Sequence, residues 1–212
     1  MRKLLITLPD HDDSTLYIFH WSKYILREAE KKGVKVLKLE RERANRKTFF
    51  DFLNSHRPSF LILNGHGDEK TIYGYNDEKM LEEGDEEALK EKIVYTIACD
   101  AAKSLGKSIV EKGGKCFIGY NRKFVFCMDE TKMTRPLEDE KAASFFNATN
   151  KIPIGIIKGN SSLDSVEKAK EEFRREIVKW RLSKELEAPF MLRALIWDLH
   201  SLVHLGEKSF FE

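Results

Sequence analysis

Short apolar runs, too brief for globular helices, recur through the first half of the chain, and segments of helical spacing separate them. That alternation constrains the fold more than any other feature. The runs lie at residues 4–8, 34–39, Phe60–Leu63, 93–98 and 116–119. Residues 34–39 alternate apolar and basic side chains, as a half-exposed strand does; the others read as strands buried on both faces. Residues 16–32 carry Leu16, Phe19, Ile25, Leu26 and Ala29 at close to helical spacing and stop at Gly33. Residues 45–56 repeat the pattern with Phe49, Phe50 and Leu53 before Pro58, and residues 101–112 repeat it before Gly113 and Gly114. An irregular, acidic stretch at 68–87 and a short helix at 86–92 fill the remaining gap. Strands alternating with helices predict an α/β fold: a mostly parallel central sheet with helices on both faces. Such sheets bind and react at the carboxyl ends of their strands.

Beyond Tyr120 the pattern loosens. Residues 124–128 read as one more strand or a strand-like loop, 139–148 as a helix and 154–157 as a short apolar segment. Residues 165–187 form a long charged helix with Val166, Ala169, Phe173, Ile177 and Trp180 along one side. Pro189 breaks it, and a very apolar helix follows at 190–204. The expectation is a single domain over 1–212, with residues from about 165 forming a C-terminal helical extension packed on it or at an interface.

Composition narrows the function classes. The chain has 212 residues, 42% of them hydrophobic, which suffices for one domain with a real core. Charged residues make up 34%, yet the net charge is only +2, so no one-signed face for nucleic acid is expected. No run approaches the roughly 18 apolar residues of a membrane span, and residues 1–13 read as a first strand, not a signal peptide. Cys99, Cys116 and Cys127 show no paired spacing, which points to a reducing, cytoplasmic setting. The absence of glutamine beside abundant Glu and Lys fits a heat-adapted source.

Two residues sit where such a fold places its chemistry. His66, between Gly65 and Gly67, follows the run Phe60–Leu63; Cys99 follows the run at 93–98, 33 positions later. If the two strands are neighbours about 5 Å apart, both side chains overhang one cleft. A thiolate is the active nucleophile, and an imidazole can supply or stabilise it. Gly67 lets the backbone turn its N–H into the cleft, where it and the N–H of Cys99 can receive a developing oxyanion; losing one such donor costs about 3–4 kcal/mol in a known protease. Cys99 also precedes the helix expected at 101–112, whose positive end favours a thiolate. A lone loop histidine or a lone strand-end cysteine is usually structural. The pair, each at the mouth of its own strand, carries more weight.

The blocks FLILNGHG and IVYTIACD resemble the signature of the caspase-like cysteine peptidases, a clan that includes caspases, metacaspases, legumains, gingipains, clostripains, separases and CHAT domains. The segment 113–119 is similar to the Ala-Gly-Ala-x-x-Val-Ile-Gly strand of CHAT domains, and residues 142–146 and the helix from Ser165 resemble the helices after it. The resemblance covers roughly residues 1 to 180 and is sharp only in the two short motifs. It implies a caspase-like fold, Cys99 as nucleophile, His66 as general base and Gly67 as the oxyanion-hole glycine. The caspase sequence Gln-Ala-Cys-x-Gly is absent; here it is Ile97-Ala98-Cys99-Asp100-Ala101. No inter-domain cleavage loop is evident, nor the helical repeats often attached to CHAT domains.

The clan cleaves after a defined residue. Nine acidic residues at 68–87, against Lys70 and Lys79, lean toward a basic one. Asp68 is then a candidate for binding substrate. Asp100 lines the pocket or caps the following helix. Asn121 lies where the family holds the substrate backbone. The substrate is a peptide or protein, and this chemistry requires no cofactor and no metal. Cys116 and Cys127 read as structural.

Three rival readings have sequence support. Residues 101–108 fit a relaxed phosphate loop with Ala in place of the first Gly, which would make this a nucleotide-binding α/β protein. His200 and His204 lie one helical turn apart if 190–204 is helical, as zinc ligands can, though packing is the better account in so apolar a segment. A catalytically silent caspase-like interaction module is the third, contacting a protein partner or a second copy through the apolar C-terminal helix.

Overall fold

The computed structural model describes residues 2–212. It is an α/β fold built on a six-stranded sheet. The strands are β1 (Lys3–Leu8), β2 (Lys35–Glu40), β3 (Phe60–Leu63), β6 (Ile93–Thr96), β7 (Cys116–Tyr120) and β8 (Leu202–Gly206), in the order β2-β1-β3-β6-β7-β8. All neighbouring pairs are parallel except β7 with β8. A separate antiparallel hairpin, β4 (Thr71–Tyr73) and β5 (Lys79–Glu82), follows β3.

The continuous apolar runs follow from burial on both faces. Leu4, Ile6 and Leu8 of β1, Phe60 and Ile62 of β3, Ile93 and Tyr95 of β6, and Cys116, Ile118 and Tyr120 of β7 enter one core. The alternate residues Leu5, Leu61, Leu63, Val94 and Phe117 enter the other. Period-two alternation therefore survives as a choice of core and not of polarity. β2 is an edge strand: Leu37 and Leu39 are buried while Lys35, Lys38 and Glu40 face solvent, and charged side chains keep such an edge from pairing with another chain.

The first core is closed by α1 (Asp13–Trp21), α2 (Lys23–Lys31), α5 (Glu140–Thr149), α6 (Lys151–Ile157), α7 (Ser162–Arg181) and α8 (Ala188–Ser201); the second by α3 (Arg46–His56), α4 (Leu105–Glu111) and the hairpin. Caps set several helix starts. Asn45 accepts from the Thr48 N–H, Asp139 from those of Lys141 and Ala142, and Ser161 from that of Asp164.

Several expectations change. The segment 16–32 is two helices meeting at Ser22, whose hydroxyl donates back to the Ile18 carbonyl at 2.8 Å and accepts from the Asn64 side chain at 3.2 Å. That buried pair ties the break to the end of β3. The acidic stretch contains the β4–β5 hairpin, whose strands of three and four residues are too short to show a period. Residues 154–157 belong to α6, and 124–128 form a loop whose Phe124 and Phe126 pack on Tyr120, Phe146 and Tyr17. The helix expected at 190–204 ends at Ser201, and Leu202 turns into β8, pairing five residues with β7. Apolar composition alone cannot separate helix from strand; here the open edge of β7 decides. The C-terminal helices α7 and α8 pack on the first core as expected, and the strand after them adds to the sheet. Among the described residues, no helix is long and apolar enough to cross a membrane.

Candidate active site

The register of β3 against β6 pairs Phe60 with Ile93, and Leu63 with Thr96, a constant offset of 33. His66 and Cys99 share that offset, each three residues past the last residue of its strand. The two loops therefore leave the same end of the sheet side by side. Thr96 fastens them: its hydroxyl donates to the Leu63 carbonyl at 2.5 Å and accepts from the Ala98 N–H at 3.0 Å. A Cβ on Gly67 would lie 2.7 Å from the Ala98 Cβ and 3.0 Å from the Cys99 carbonyl oxygen, so the two backbones approach as only glycine permits. Among the described residues, neither the Gly67 nor the Cys99 N–H has a hydrogen-bond partner, which leaves both for a ligand.

The loop after β1 supplies residues that the sequence reading did not single out. Asp12 caps α1 in a reciprocal arrangement with Thr15, whose N–H and hydroxyl both donate to Oδ1, at 2.8 and 2.9 Å. Oδ2 is left to His66 Nε2, 2.5 Å away. A carboxylate only accepts, so Nε2 is the donor in this contact and Nδ1 is the nitrogen left over. Burial alone would raise the Asp12 carboxyl. The bonds from the Thr15 N–H and from His66 outweigh it and hold the group below its ordinary value. The visible signal was a cap: Asp12, then Thr15, ahead of a helical pattern. The contact with His66 spans 54 residues. His11 joins the group, bringing ligand atoms of His11, Asp12 and His66 within 4.8 Å of one another.

Cys99 is half-buried, and its closest polar contact is the Phe124 carbonyl at 4.0 Å. Burial pushes its thiol up, against a smaller lowering by the Phe124 backbone. The expected help from a helix end is missing. α4 begins at Leu105, because Asp100 adopts a left-handed φ of 60° and the turns after it are pinned to the end of β7 and the loop beyond it through Ala102 N–H to Tyr120 O and Asp100 N–H to Arg122 O. Among the described residues, no hydrogen bond joins His66 to Cys99.

The other candidates have local partners. Asp68 accepts from the Lys70 N–H at 2.8 Å and from the Tyr73 hydroxyl at 2.7 Å in the turn that leads into β4. Asp100 caps no helix and pairs with Lys103 at 2.8 Å. Asn121 follows β7 and donates its N–H to the Ser201 carbonyl, while its side-chain oxygen is buried without a partner. The acidic stretch is largely spent on the protein's own cations: Glu69 on Lys103, Glu82 on Lys79, Glu83 on Lys70, Asp85 on Arg46, Glu86 on Lys112 and Glu87 on Lys90. A groove lined by Asp100, the residue after Cys99, and by its ion-pair partner Lys103 also carries Lys107, Arg122 and Lys123 with Asn121 and Trp197, and the Arg122 guanidinium sits 4.7 Å over the Trp197 ring.

Residues 101–108 do not form a phosphate cradle. The N–H of Leu105 is bonded to Glu69 O and that of Gly106 to Ala101 O. A Cβ on Gly106 would meet the Phe117 ring at 2.5 Å, so this glycine serves close packing of α4 on the sheet. His200 lies on α8 and His204 on β8, where its Nε2 bonds the Ser162 hydroxyl at 2.8 Å, so the two are not a helical pair. Cys116 is buried in β7, and Cys127 is half-buried in the loop that follows. No protein-family model matches the sequence, and no curated protein matches it.

Proposed function

We propose that this protein is a caspase-like cysteine endopeptidase with Cys99 as nucleophile, His66 as general base and Asp12 as the group that orients the base. The observation that carries the reading is the shared 33-residue offset: His66 and Cys99 overhang the sheet from register-paired strands, beside two N–H groups without a hydrogen-bond partner among the described residues. Substrate binding between the loops brings the thiol within reach of His66 Nδ1, which takes its proton. Sγ then attacks the peptide carbonyl, and the oxyanion is received by the N–H groups of Gly67 and Cys99. The imidazolium, held by Asp12, returns the proton to the leaving amine, and water hydrolyses the thioester with His66 again as base. The free cations of the groove favour an acidic substrate side chain over the basic one expected from the 68–87 stretch. Three free cysteines fit a reducing compartment, the cytoplasm.

A silent scaffold is the second reading, and the raised Cys99 thiol without a bond to His66 favours it. Labelling with peptide acyloxymethyl ketones bearing Asp, Asn, Arg, Lys or Leu at the cleavage position separates the two. The peptidase reading expects one adduct, on Cys99, slowed about 100-fold or more by His66→Ala. Folded protein that leaves Cys99 unlabelled, or labels it equally without His66, refutes it.

A further inference from the structure

We propose that His11, Asp12 and His66 form a binding site for a divalent transition-metal ion, zinc being the probe of choice. The three side chains offer two imidazole nitrogens and one carboxylate oxygen within 4.8 Å. That donor set suits zinc, cobalt or nickel and not calcium or magnesium, which take oxygen ligands. The carboxylate is already aimed: Thr15 holds Oδ1, and Oδ2 faces both rings, 2.5 Å from His66 Nε2 and 3.8 Å from His11 Nε2. Ligand atoms on a tetrahedral zinc with bonds near 2.0–2.1 Å stand about 3.3 Å apart, so Asp12 and His66 part by about 0.8 Å and His11 closes by about 0.5 Å.

The His11 ring is packed for this role. Only 9% of its side chain is exposed, and it meets His66 and Tyr75 edge-on at centroid distances of 5.9 and 5.4 Å. Its Nδ1 is buried and makes no hydrogen bond, and its Nε2 lies 3.4 Å from Asp77 Oδ1 and 3.8 Å from Asp12 Oδ2. A cation here would displace the Nε2 proton and take that nitrogen's lone pair, and Asp77, on the exposed turn between β4 and β5, is within reach as a further oxygen ligand. His66 and Asp12 are each more than a third exposed, which opens the remaining position to water.

Binding stands on this geometry alone. Its consequence rests on the peptidase reading: the ion takes His66 Nε2 and Asp12 together, turning the ring from its resting pose and stopping Cys99 chemistry.

The test uses the full chain, with cobalt for visible ligand-field bands and zinc in competition with a chromophoric chelator. One ion per chain is expected, retained in Cys99→Ala and weakened about tenfold or more in His11→Ala and in His11→Gln, each shown to be folded by circular dichroism. No binding, or binding indifferent to both His11 variants, overturns the site. His11-dependent binding in a protein whose Cys99 never labels keeps the site and rejects the peptidase. His11-dependent binding that leaves Cys99 labelling unchanged overturns the coupling.

Discussion

Glu86 gives the most quantitative test of how α4 is held to the segment after the hairpin. It is almost fully buried in the turn before β6. Its carboxylate accepts from the Gly84 N–H at 3.0 Å, the Ser108 hydroxyl at 2.7 Å and Lys112 Nζ at 2.9 Å, so one charge joins the hairpin side to α4. Burial alone would raise this carboxyl. The Ser108, Gly84 and Lys112 bonds outweigh it and bring it from 4.5 down to about 2. At about 1.4 kcal/mol per tenfold change in proton affinity, that difference is about 3 kcal/mol of folding stability. Its sign is that of a depressed acid: the contribution is full above pH 4.5 and is lost as pH falls toward 2. It is roughly halved near pH 3 and below about 0.5 kcal/mol at pH 2. Glu86→Gln keeps the size and removes the charge. Urea unfolding followed by circular dichroism at pH 7, 5, 4 and 3 compares it with the parent, so that the other carboxylates cancel. The variant is expected to be about 2–3 kcal/mol less stable at pH 7, with the gap closing on acidification. Parallel curves between pH 7 and 3 refute the reasoning, for they mean the charge of Glu86 contributes nothing.

Two further substitutions probe the site. Asp12→Asn keeps a good helix cap, so stability is expected within about 1 kcal/mol of the parent; the neutral amide cannot hold an imidazolium, so the Cys99 labelling rate should fall about 10²–10⁴-fold. Equal rates in parent and variant, at matched melting temperatures, remove Asp12 from the mechanism. Gly67→Ala forces its Cβ against Ala98 and the Cys99 carbonyl, and overpacking of this kind costs about 1–3 kcal/mol. The double variant with Ala98→Gly should recover part of the loss in thermal unfolding; strictly additive losses show that the two loops do not touch as described.

How much was legible depended on the range of the interaction. Buried strands announce themselves in consecutive side chains, because a strand covered on both faces has no polar position. β3 has the limits its sequence suggests, and β1, β6 and β7 lie within a residue or two of theirs. The same locality put His66 and Cys99 past strand ends. Where neighbours in space are distant in sequence, no local signal existed. Asp12 carried no local sign of a role at the site; the order β1-β3 sets its free oxygen against His66. His11 is one more polar loop residue until packing closes on it.

The chain by itself determined an α/β sheet, the positions of its parallel strands and the places of His66 and Cys99 past two of them, since each follows from burial and turning within a few residues. Only the tertiary structure decided that β3 and β6 are paired, which turns a 33-residue spacing into adjacency. It alone decided that residues from Leu202 close the sheet as β8: an apolar run satisfies its backbone equally well in a helix or beside an open strand, and the unpaired edge of β7 selects the second. It also decided that Asp85, Glu69 and Glu86 of the acidic stretch are neutralised by cations distant in sequence, Arg46 of α3 and Lys103 and Lys112 on either side of α4.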